Sequence, residues 1–270
     1  MKIIISLTTI PSRLKDEGED GIKKCIASLI NQDFNGEYEI HLNIPEENHK
    51  TKEKYIVPQW LRDLSKENTK LKLIEGLVDL GSITKIFYTL QRETHPESIL
   101  VVCDDDLIYH PKMLEEQVKN QSLYENTAVG YDGCRAERDN GEELFHDVRD
   151  HYVVSVYRNI YVSKLQHYKT VSYKRKFFND DYEEFIKLGS WNDDVTNSAY
   201  MSKMNIKKMV TFYEHEEKLI TEDDWRLKGG VTTFPVLNHT SHEGLEGCTL
   251  YRQENASDNF QTFLDMKYLK

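Results

Sequence analysis

Apolar segments typical of short strands alternate with helix-like segments through the first half of the chain. Strands are predicted at 2–9, 38–44, 71–74 and 99–103, and helices at 22–32, 60–66, 83–94 and 112–123. The helical segments carry apolar residues three and four positions apart, whereas the strand segments are apolar throughout or alternate. Strands joined through helices in this way pair in parallel, with helices on the faces of the sheet. The pattern therefore predicts an α/β fold with a mostly parallel central sheet flanked by helices.

The second half of the chain is less regular, but nothing separates it from the first. Strands are predicted at 127–131 and 152–162 and a helix from about Asp194, with a charged segment at 174–184 and polar loops near the end. There is no internal repeat, low-complexity tract or evident linker. A single domain over 1–270 is the simplest interpretation, since this length suffices for one large α/β domain.

Charge and hydropathy disfavour several broad classes of partner. The 35 Lys and Arg residues against 46 Asp and Glu give a formal net charge of −11, which disfavours general attraction to nucleic acid or an anionic membrane. The N-terminal apolar run at 3–5 is far shorter than the roughly 18 residues that span a bilayer. The four cysteines are scattered without a Cys-x-x-Cys pair, which is typical of reduced thiols. We therefore expect a cytoplasmic protein with no membrane span and no nucleic-acid partner.

The apolar segment at 99–103 ends on three consecutive carboxylates, Asp104, Asp105 and Asp106. Adjacent like charges raise each other's pKa unless a cation compensates them, and hard cations such as Mg²⁺ and Mn²⁺ prefer oxygen ligands. In strand geometry, Asp104 and Asp106 would point to one side and Asp105 to the other. The triplet therefore predicts a divalent-metal site at a strand end, and the alternative is a solvated acidic turn that caps the next helix.

Three other motifs accompany the triplet, in order, between positions 8 and 200. They are TTIPSR at 8–13, the spacing Asp79-x-Gly81-x-x-x-Lys85, and WNDDVTNSAY at 191–200. Together with the triplet they resemble the GT-A class of nucleotide-sugar glycosyltransferases, and the chain is similar to the small soluble members of large algal viruses and of bacteria. The resemblance implies a GT-A, Rossmann-like fold, with 1–125 as the nucleotide-sugar-binding half and 126–270 as the acceptor-side half.

The resemblance also implies a metal-dependent transferase for a hexosyl or pentosyl group. It would move a sugar from a nucleoside-diphosphate sugar, with UDP favoured over GDP, to a hydroxyl group of a glycan or glycoprotein acceptor. Mn²⁺ or Mg²⁺ would be the cofactor, since a metal that bridges both phosphates neutralises the charge of the leaving nucleoside diphosphate. For a viral member, the compartment would be the host cytoplasm.

The resemblance assigns ligand-binding roles residue by residue. Asp106 and Asp104 would be metal ligands, with the late His239 as a further ligand. Lys85 lies in the first turn of a predicted helix, where a phosphate also meets the helix N-terminus. The structural alternatives are a solvated loop residue for Arg13, a surface residue for Lys85 and a hydrogen-bonded loop residue for His239. The nucleotide sugar would contact Thr8, Thr9, Ile10, Arg13, Asp79, Gly81, Lys85, Asp104 and Asp105.

An inverting transfer also needs a general base that takes the proton of the attacking hydroxyl group. Asp194 resembles the second acid of the family's pair and is the preferred base, with Asp193 as second choice. Aspartates at a helix start are also common N-caps, which is the structural alternative for both. Trp191 and Tyr157 are candidates to stack on a sugar ring, although core packing is the more common role of such aromatic residues. Where the family commonly has glycines, at 155–162, this chain has SVYRNIYV, which leaves the acceptor open.

Two other classes of protein compete with this interpretation. Metal-dependent phosphatases and nucleases also hold Mg²⁺ with acidic residues at a strand end. In the haloacid-dehalogenase pattern, however, the acidic pair follows the first strand, with a small hydroxyl residue or valine two positions later, whereas Ile108 occupies that place here. The other alternative is a catalytically inactive carbohydrate-binding protein on the same fold. The chain has neither a P-loop nor a Gly-x-Gly-x-x-Gly motif, which disfavours a P-loop ATPase and a dehydrogenase.

Overall fold

The computed structural model describes residues 2–15, 22–139, 142–147, 160–167, 169–188 and 192–211 of the chain. In these ranges the strands are β1 (Ile3–Thr8), β2 (Glu39–Pro45), β3 (Leu71–Leu77), β4 (Ile99–Val102), β5 (Thr127–Gly130), β6 (Gly133–Asp139), β7 (Glu142–Asp147), β8 (Ile160–Tyr161), β9 (Lys164–Leu165), β10 (Val171–Lys174) and β11 (Lys207–Val210). The helices are α1 (Pro11–Lys15), α2 (Lys23–Ile30), α3 (Gln59–Glu67), α4 (Thr84–Arg92), α5 (Met113–Leu123), α6 (Tyr182–Ile186) and α7 (Asp193–Lys203). Every strand and helix predicted in the first half is therefore present, with bounds shifted by a few residues.

Eight strands form one sheet in the order β3-β2-β1-β4-β10-β5-β11-β8. Neighbouring strands from β3 to β4 are parallel, and β5 and β11 also pair in parallel. β10 runs antiparallel between β4 and β5, and the short β8 is antiparallel to β11. The α/β class with a mostly parallel sheet is therefore confirmed, and the order β3-β2-β1-β4 at its parallel end is Rossmann-like.

The second half differs from expectation in three places, the first being that β10 and β11, which the sequence did not predict, belong to the main sheet. The strands β7, β6 and β9 form a separate three-stranded sheet that the sequence did not predict. The charged segment at 174–184 contains the end of β10, a 3-10 turn at Arg175–Phe177 and the start of α6. Of the strand predicted at 152–162, residues 151–159 lie outside the described ranges, and Ile160–Tyr161 form β8. The extent of one domain over 1–270 stays a prediction.

Apolar side chains cover both faces of the parallel strands. On β1, Ile3, Ile5 and Leu7 pack on the face that α2 and α5 cover, while Ile4 packs on the opposite face with α4 and α7. Because both faces are buried, such strands are apolar at nearly every position and do not alternate strictly. None of the helices in the described ranges is long and apolar enough to cross a bilayer.

The carboxyl ends of β1 and β4 lie side by side. The two strands are parallel neighbours, paired from Ile3 with Ile99 to Ser6 with Val102. β10 begins at the same level, with Val171 opposite Val102. The loops after β1 and β4 and the loop before β10 therefore meet at one edge of the sheet, which we call the carboxyl edge. Open α/β sheets bind ligands at this edge.

Candidate active site at the carboxyl edge

The acidic triplet lies in the turn after β4, not within the strand. One residue separates the end of β4 from Asp104. Asp105 and Asp106 both face Arg13, whereas Asp104 faces Lys85. The expectation that Asp104 and Asp106 share one side is therefore wrong, because strand alternation stops where the strand ends.

Arg13 binds two of the three carboxylates. It lies in α1, directly after β1, and its guanidinium donates through Nη1 to Asp105 Oδ1 and through Nη2 to Asp106 Oδ2, the latter at 2.7 Å. These three side chains are only 7–13% exposed. Burial lowers the pKa of Arg13, but the charges of the aspartates raise it more. Arg13 is therefore a buried counter-cation, and both alternatives, a solvated arginine and a solvated acidic turn, are wrong.

The charge of the triplet is only partly compensated. Burial and the charges of Asp104 and Asp105 raise the pKa of Asp106 to about 7, although Arg13 acts in the opposite direction. In the described part of the chain, Asp105 Oδ2 and Thr9 Oγ1 are buried without a hydrogen-bond partner. Buried polar atoms are normally paired, so these oxygens indicate a place for a cation or a polar ligand. Carboxylate oxygens with incomplete charge compensation fit a hard divalent cation such as Mn²⁺ or Mg²⁺.

Lys85 joins the triplet to the acidic pair that begins α7. Its Nζ binds Asp104 Oδ1 and lies 2.8 Å from Asp193 Oδ2, across 108 residues of sequence. Only 9% of the lysine side chain is exposed. Burial lowers the pKa of Lys85, but the two carboxylates raise it more, so the net shift is upward. The two acidic motifs therefore form one site, and the alternative of a surface lysine is wrong.

Polar residues inside the sheet hold the first turn of α4 in place. The backbone carbonyl of Lys85 accepts hydrogen bonds from Asn43 Nδ2, at 3.0 Å, and from Ser6 Oγ. Ser6 on β1 and Asn43 on β2 are fully buried. A buried polar side chain is costly unless it is hydrogen-bonded, so these two residues fix the start of α4 and thereby the origin of the Lys85 side chain.

Asn192, rather than either aspartate, caps α7. Its side chain accepts a hydrogen bond from the backbone N–H of Val195 at 3.1 Å, which is the usual N-cap contact. The backbone N–H of Asp193 donates to Ser82 Oγ at 3.0 Å. The alternative of simple N-caps is therefore wrong for Asp193 and Asp194.

Asp194 is bound by His167, a residue that the sequence analysis missed. Asp194 Oδ1 accepts a hydrogen bond from the backbone N–H of His167 at 2.8 Å and lies 2.9 Å from its ring Nδ1. Three side-chain atoms that could bind a metal ion, one from each of His167, Asp193 and Asp194, lie within 4.8 Å of one another. Burial raises the pKa of Asp194, but the contacts with His167 lower it more, and the net direction is downward. Asp194 is therefore ionised near neutral pH.

Asp79 organises the loops after β2 and β3. Its Oδ1 accepts from the backbone N–H of Gly81 at 2.8 Å, and its Oδ2 accepts from the backbone N–H of His49 at 2.9 Å and lies 2.9 Å from the His49 ring. Gly81 has a φ of +61°, a left-handed conformation that favours glycine. A tight turn therefore explains the Asp79-x-Gly81 spacing, and His49 is a second residue that the sequence analysis missed.

Of the remaining predicted residues, two lie at the carboxyl edge and three lie outside the described ranges. Thr8 Oγ1 donates to the carbonyl of Asn43 at 2.8 Å, and Ile10, which is 36% exposed, follows on the same edge. Trp191, Tyr157 and His239 lie outside the described residues, so their proposed roles stay predictions.

Comparison with known proteins gives similarity at the level of structure. No family model matches the chain, and no curated protein does. The chain is similar to a crystal structure of S. aureus TarS 1–349, with 13% identity, a TM-score of 0.46, and coverage of 76% of this chain and 55% of that one. It is also similar to the mannosyltransferase PcManGT from Pyrobaculum calidifontis in complex with GDP-Man and Mn²⁺, with 16% identity, a TM-score of 0.49, and coverage of 78% and 55%. The chain thus spans just over half the length of each, and this likeness assigns no activity to it.

Proposed function

We propose that the protein is a metal-dependent glycosyltransferase. It would act in the cytoplasm and move a sugar from a nucleoside-diphosphate sugar, a UDP-sugar by the resemblance of its motifs, to a hydroxyl group of a glycan or glycoprotein. The observation that carries the proposal is the Lys85 bridge, which brings the acidic triplet and the Asp193–Asp194 pair into one site. A transferase needs both, one acidic group beside the leaving diphosphate and one beside the attacking hydroxyl group.

The donor side of the site is built on the triplet. Asp106 would hold the divalent cation, with Asp104 reaching it from the opposite side, that of Lys85, and the unpartnered Asp105 Oδ2 and Thr9 Oγ1 would face the cation or the donor. When bound, the cation supplies a Lewis acid that neutralises the leaving diphosphate. Arg13 keeps the carboxylates in place through its two hydrogen bonds.

The nucleoside would lie against the loops after β1 and β3. Five of the predicted contact residues lie at these loops: Thr8 at the end of β1, and Thr9, Ile10, Asp79 and Gly81 after the strands. The hydrogen bonds of Asp79 close the turn at Gly81 and tie this loop to the loop after β2, which would pre-organise the contacts to the nucleoside.

On the acceptor side, the contacts favour Asp194 over Asp193 as the general base. Asp193 Oδ2 is bound to Lys85, whereas the hydrogen bonds of Asp194 from His167 fall on Oδ1, and no residue in the described ranges binds Oδ2, which would be left for the acceptor. The acceptor oxygen forms a bond to the anomeric carbon while the bond from that carbon to the diphosphate breaks. The hydroxyl proton passes to Asp194, and the bonding electron pair leaves with the nucleoside diphosphate. Attack from the face opposite the leaving group inverts the anomeric configuration.

The test is release of nucleoside diphosphate from a panel of UDP-sugars and GDP-sugars by the full chain, with Mn²⁺, Mg²⁺ or a chelator. We expect metal-dependent hydrolysis of one donor, with water as the acceptor. Asp194→Asn should abolish release while donor affinity, measured by thermal shift, stays largely intact. Asp181→Asn is the matched control, because Asp181 also lies at the start of a helix, directly before α6, but binds Tyr200 and Lys203.

Each alternative has its own outcome in this assay. Near-normal turnover by Asp194→Asn would remove the assignment of the base. Hydrolysis of phosphomonoesters or DNA without donor hydrolysis would favour a phosphatase or nuclease. Donor or glycan binding without turnover would favour an inactive carbohydrate-binding protein.

A further inference from the structure

The ring of His167 is hydrogen-bonded on both sides. Its Nδ1 lies 2.9 Å from Asp194 Oδ1, and its Nε2 lies 2.6 Å from the Tyr173 hydroxyl and 3.3 Å from Asn197 Nδ2. The side chain is 0% exposed. The partners belong to β10 and α7, so the ring cannot turn without breaking contacts to two elements.

The partners assign the proton of the ring to Nδ1. The Tyr182 hydroxyl donates to Asn197 Oδ1 at 2.5 Å, which turns the Asn197 amide nitrogen toward Nε2. An amide nitrogen donates, so Nε2 accepts and Nδ1 carries the proton. Burial raises the pKa of Tyr173, so its hydroxyl stays protonated and also donates to Nε2. The Nδ1–H then donates to Asp194 Oδ1, beside the backbone N–H of the same histidine.

We infer that His167 is a positioning residue for Asp194 in sugar transfer, an inference that rests on the proposed function. Two hydrogen bonds from one residue fix Oδ1 and direct Oδ2 toward the acceptor hydroxyl group. Tyr173 and Asn197 fix the ring in turn. A general base works only within hydrogen-bonding distance of the proton it takes, so rotation of the carboxylate away from that position lowers the rate of transfer.

Charged groups on several elements surround Asp194. Lys164 on β9 favours its ionised form, as His167 does. Asp193 on α7 is a like charge, and Lys85 on α4 binds that charge. Loss of the ring donor leaves the effect of burial less opposed, so the pH at which Asp194 takes up a proton should rise.

Two substitutions separate the two sides of the ring. His167→Asn places an amide nitrogen near the position of Nδ1, whereas His167→Gln places its amide near Nε2 and removes the side-chain donor to Asp194. With the donor that the panel identifies, His167→Gln should lower kcat roughly tenfold to a hundredfold, with little change in donor KM. In a plot of kcat against pH, the acid limb, where kcat falls as Asp194 takes up a proton, should move up by about one pH unit. His167→Asn should retain most of kcat and an unmoved limb.

His41 provides a matched control, because it is another buried histidine that contacts a carboxylate, that of Glu39. His41→Gln should leave kcat and the acid limb unchanged. Thermal unfolding checks that each variant folds. If His167→Gln does not fold, Tyr173→Phe removes one donor to Nε2 with the ring retained, and the limb should move in the same direction by less. Long-range ¹H–¹⁵N correlation of the metal-free protein should show the Nδ1–H tautomer of His167.

The outcomes separate the inference from the proposed function. An active wild type in which His167→Gln and His167→Asn have equal kcat and equal acid limbs would overturn the inference, as would an Nε2–H tautomer. A wild type that hydrolyses no donor in the panel would overturn the proposed function itself, and the inference with it.

Discussion

Replacement of Lys85 by methionine tests whether the two acidic motifs depend on one buried cation. The lysine side chain is 9% exposed, and those of Asp104 and Asp193 are 23% and 7% exposed. Methionine keeps most of the apolar stem but removes the charge, so two carboxylates would face each other with no cation between them. Removing one partner of a buried ion pair costs about 3–5 kcal/mol, and Lys85→Met should lower the free energy of unfolding by that amount.

The measurement is urea-induced unfolding of the metal-free protein near neutral pH, with thermal unfolding in parallel. At about 2–4 °C per kcal/mol for a chain of this size, Tm should fall by roughly 6–20 °C. The matched control is Lys66→Met, because Lys66 is 72% exposed and its partner Asp63 is 51% exposed. An exposed pair contributes about 0–1 kcal/mol, so the control should unfold almost as the wild type does.

The double variant with Lys85→Met and Asp193→Asn distinguishes charge repulsion from lost packing. If repulsion causes the loss, removal of the Asp193 charge restores part of the stability, and the two substitutions are not additive. Equal losses in Lys85→Met and Lys66→Met, or full additivity in the double variant, would refute the reasoning.

Three further predictions concern pH and donor binding. The pKa of Asp106 is raised to about 7, so the folded state binds this proton more tightly than the unfolded state does, and stability falls as pH rises toward 7. In urea titrations, the free energy of unfolding of Asp106→Asn should therefore be roughly 4 kcal/mol higher than that of the metal-free wild type above about pH 8, and equal to it below about pH 4. Burial lowers the pKa of Lys208 to about 8, so wild-type stability should rise between about pH 8 and 10, and Lys208→Met should lack roughly 3 kcal/mol of that rise. For either variant, a curve of unfolding free energy against pH that runs parallel to that of the wild type would contradict the prediction. Asp79→Asn should weaken donor binding roughly fivefold in calorimetric titration with kcat little changed, and an unchanged affinity would remove Asp79 from the nucleoside pocket.

The parallel half of the sheet was predictable because its signals are local. The segment at 99–103 is apolar at every position since both of its faces are buried, and the helices carry apolar stripes that pack on the sheet. β10 was not predicted. It is only four residues long, and its place between β4 and β5 depends on segments distant in sequence.

The site was predictable in its acids but not in their partners. Carboxylates that follow a strand or begin a helix are recognisable by residue type and place. Lys85 was predicted as a site residue, but its bridge between the two acidic motifs was not, because Lys85 meets Asp193 across 108 residues. His167 meets Asp194 across 27 residues and stands in the segment LQHYK, which has neither periodicity nor a metal-binding spacing. The sequence analysis named His239 as a metal ligand, which stays a prediction, and did not name His167, which the sheet order brings to the carboxyl edge.

The charges at the carboxyl edge bear on the proposal that a cation and an anionic donor bind there together. The triplet and the Asp193–Asp194 pair together contain five carboxylates, and within the described ranges Arg13 and Lys85 are the cations in direct contact with these five, which leaves this group a formal charge of −3. The sequence alone suggested that a metal compensates the whole triplet. It need not, because Arg13 and Lys85 already neutralise and orient most of the acids. The uncompensated negative charge is greatest at Asp106, as its raised pKa indicates. A nucleoside diphosphate would add negative charge to this edge, so under the proposed function a divalent cation would relieve both repulsions when the donor binds.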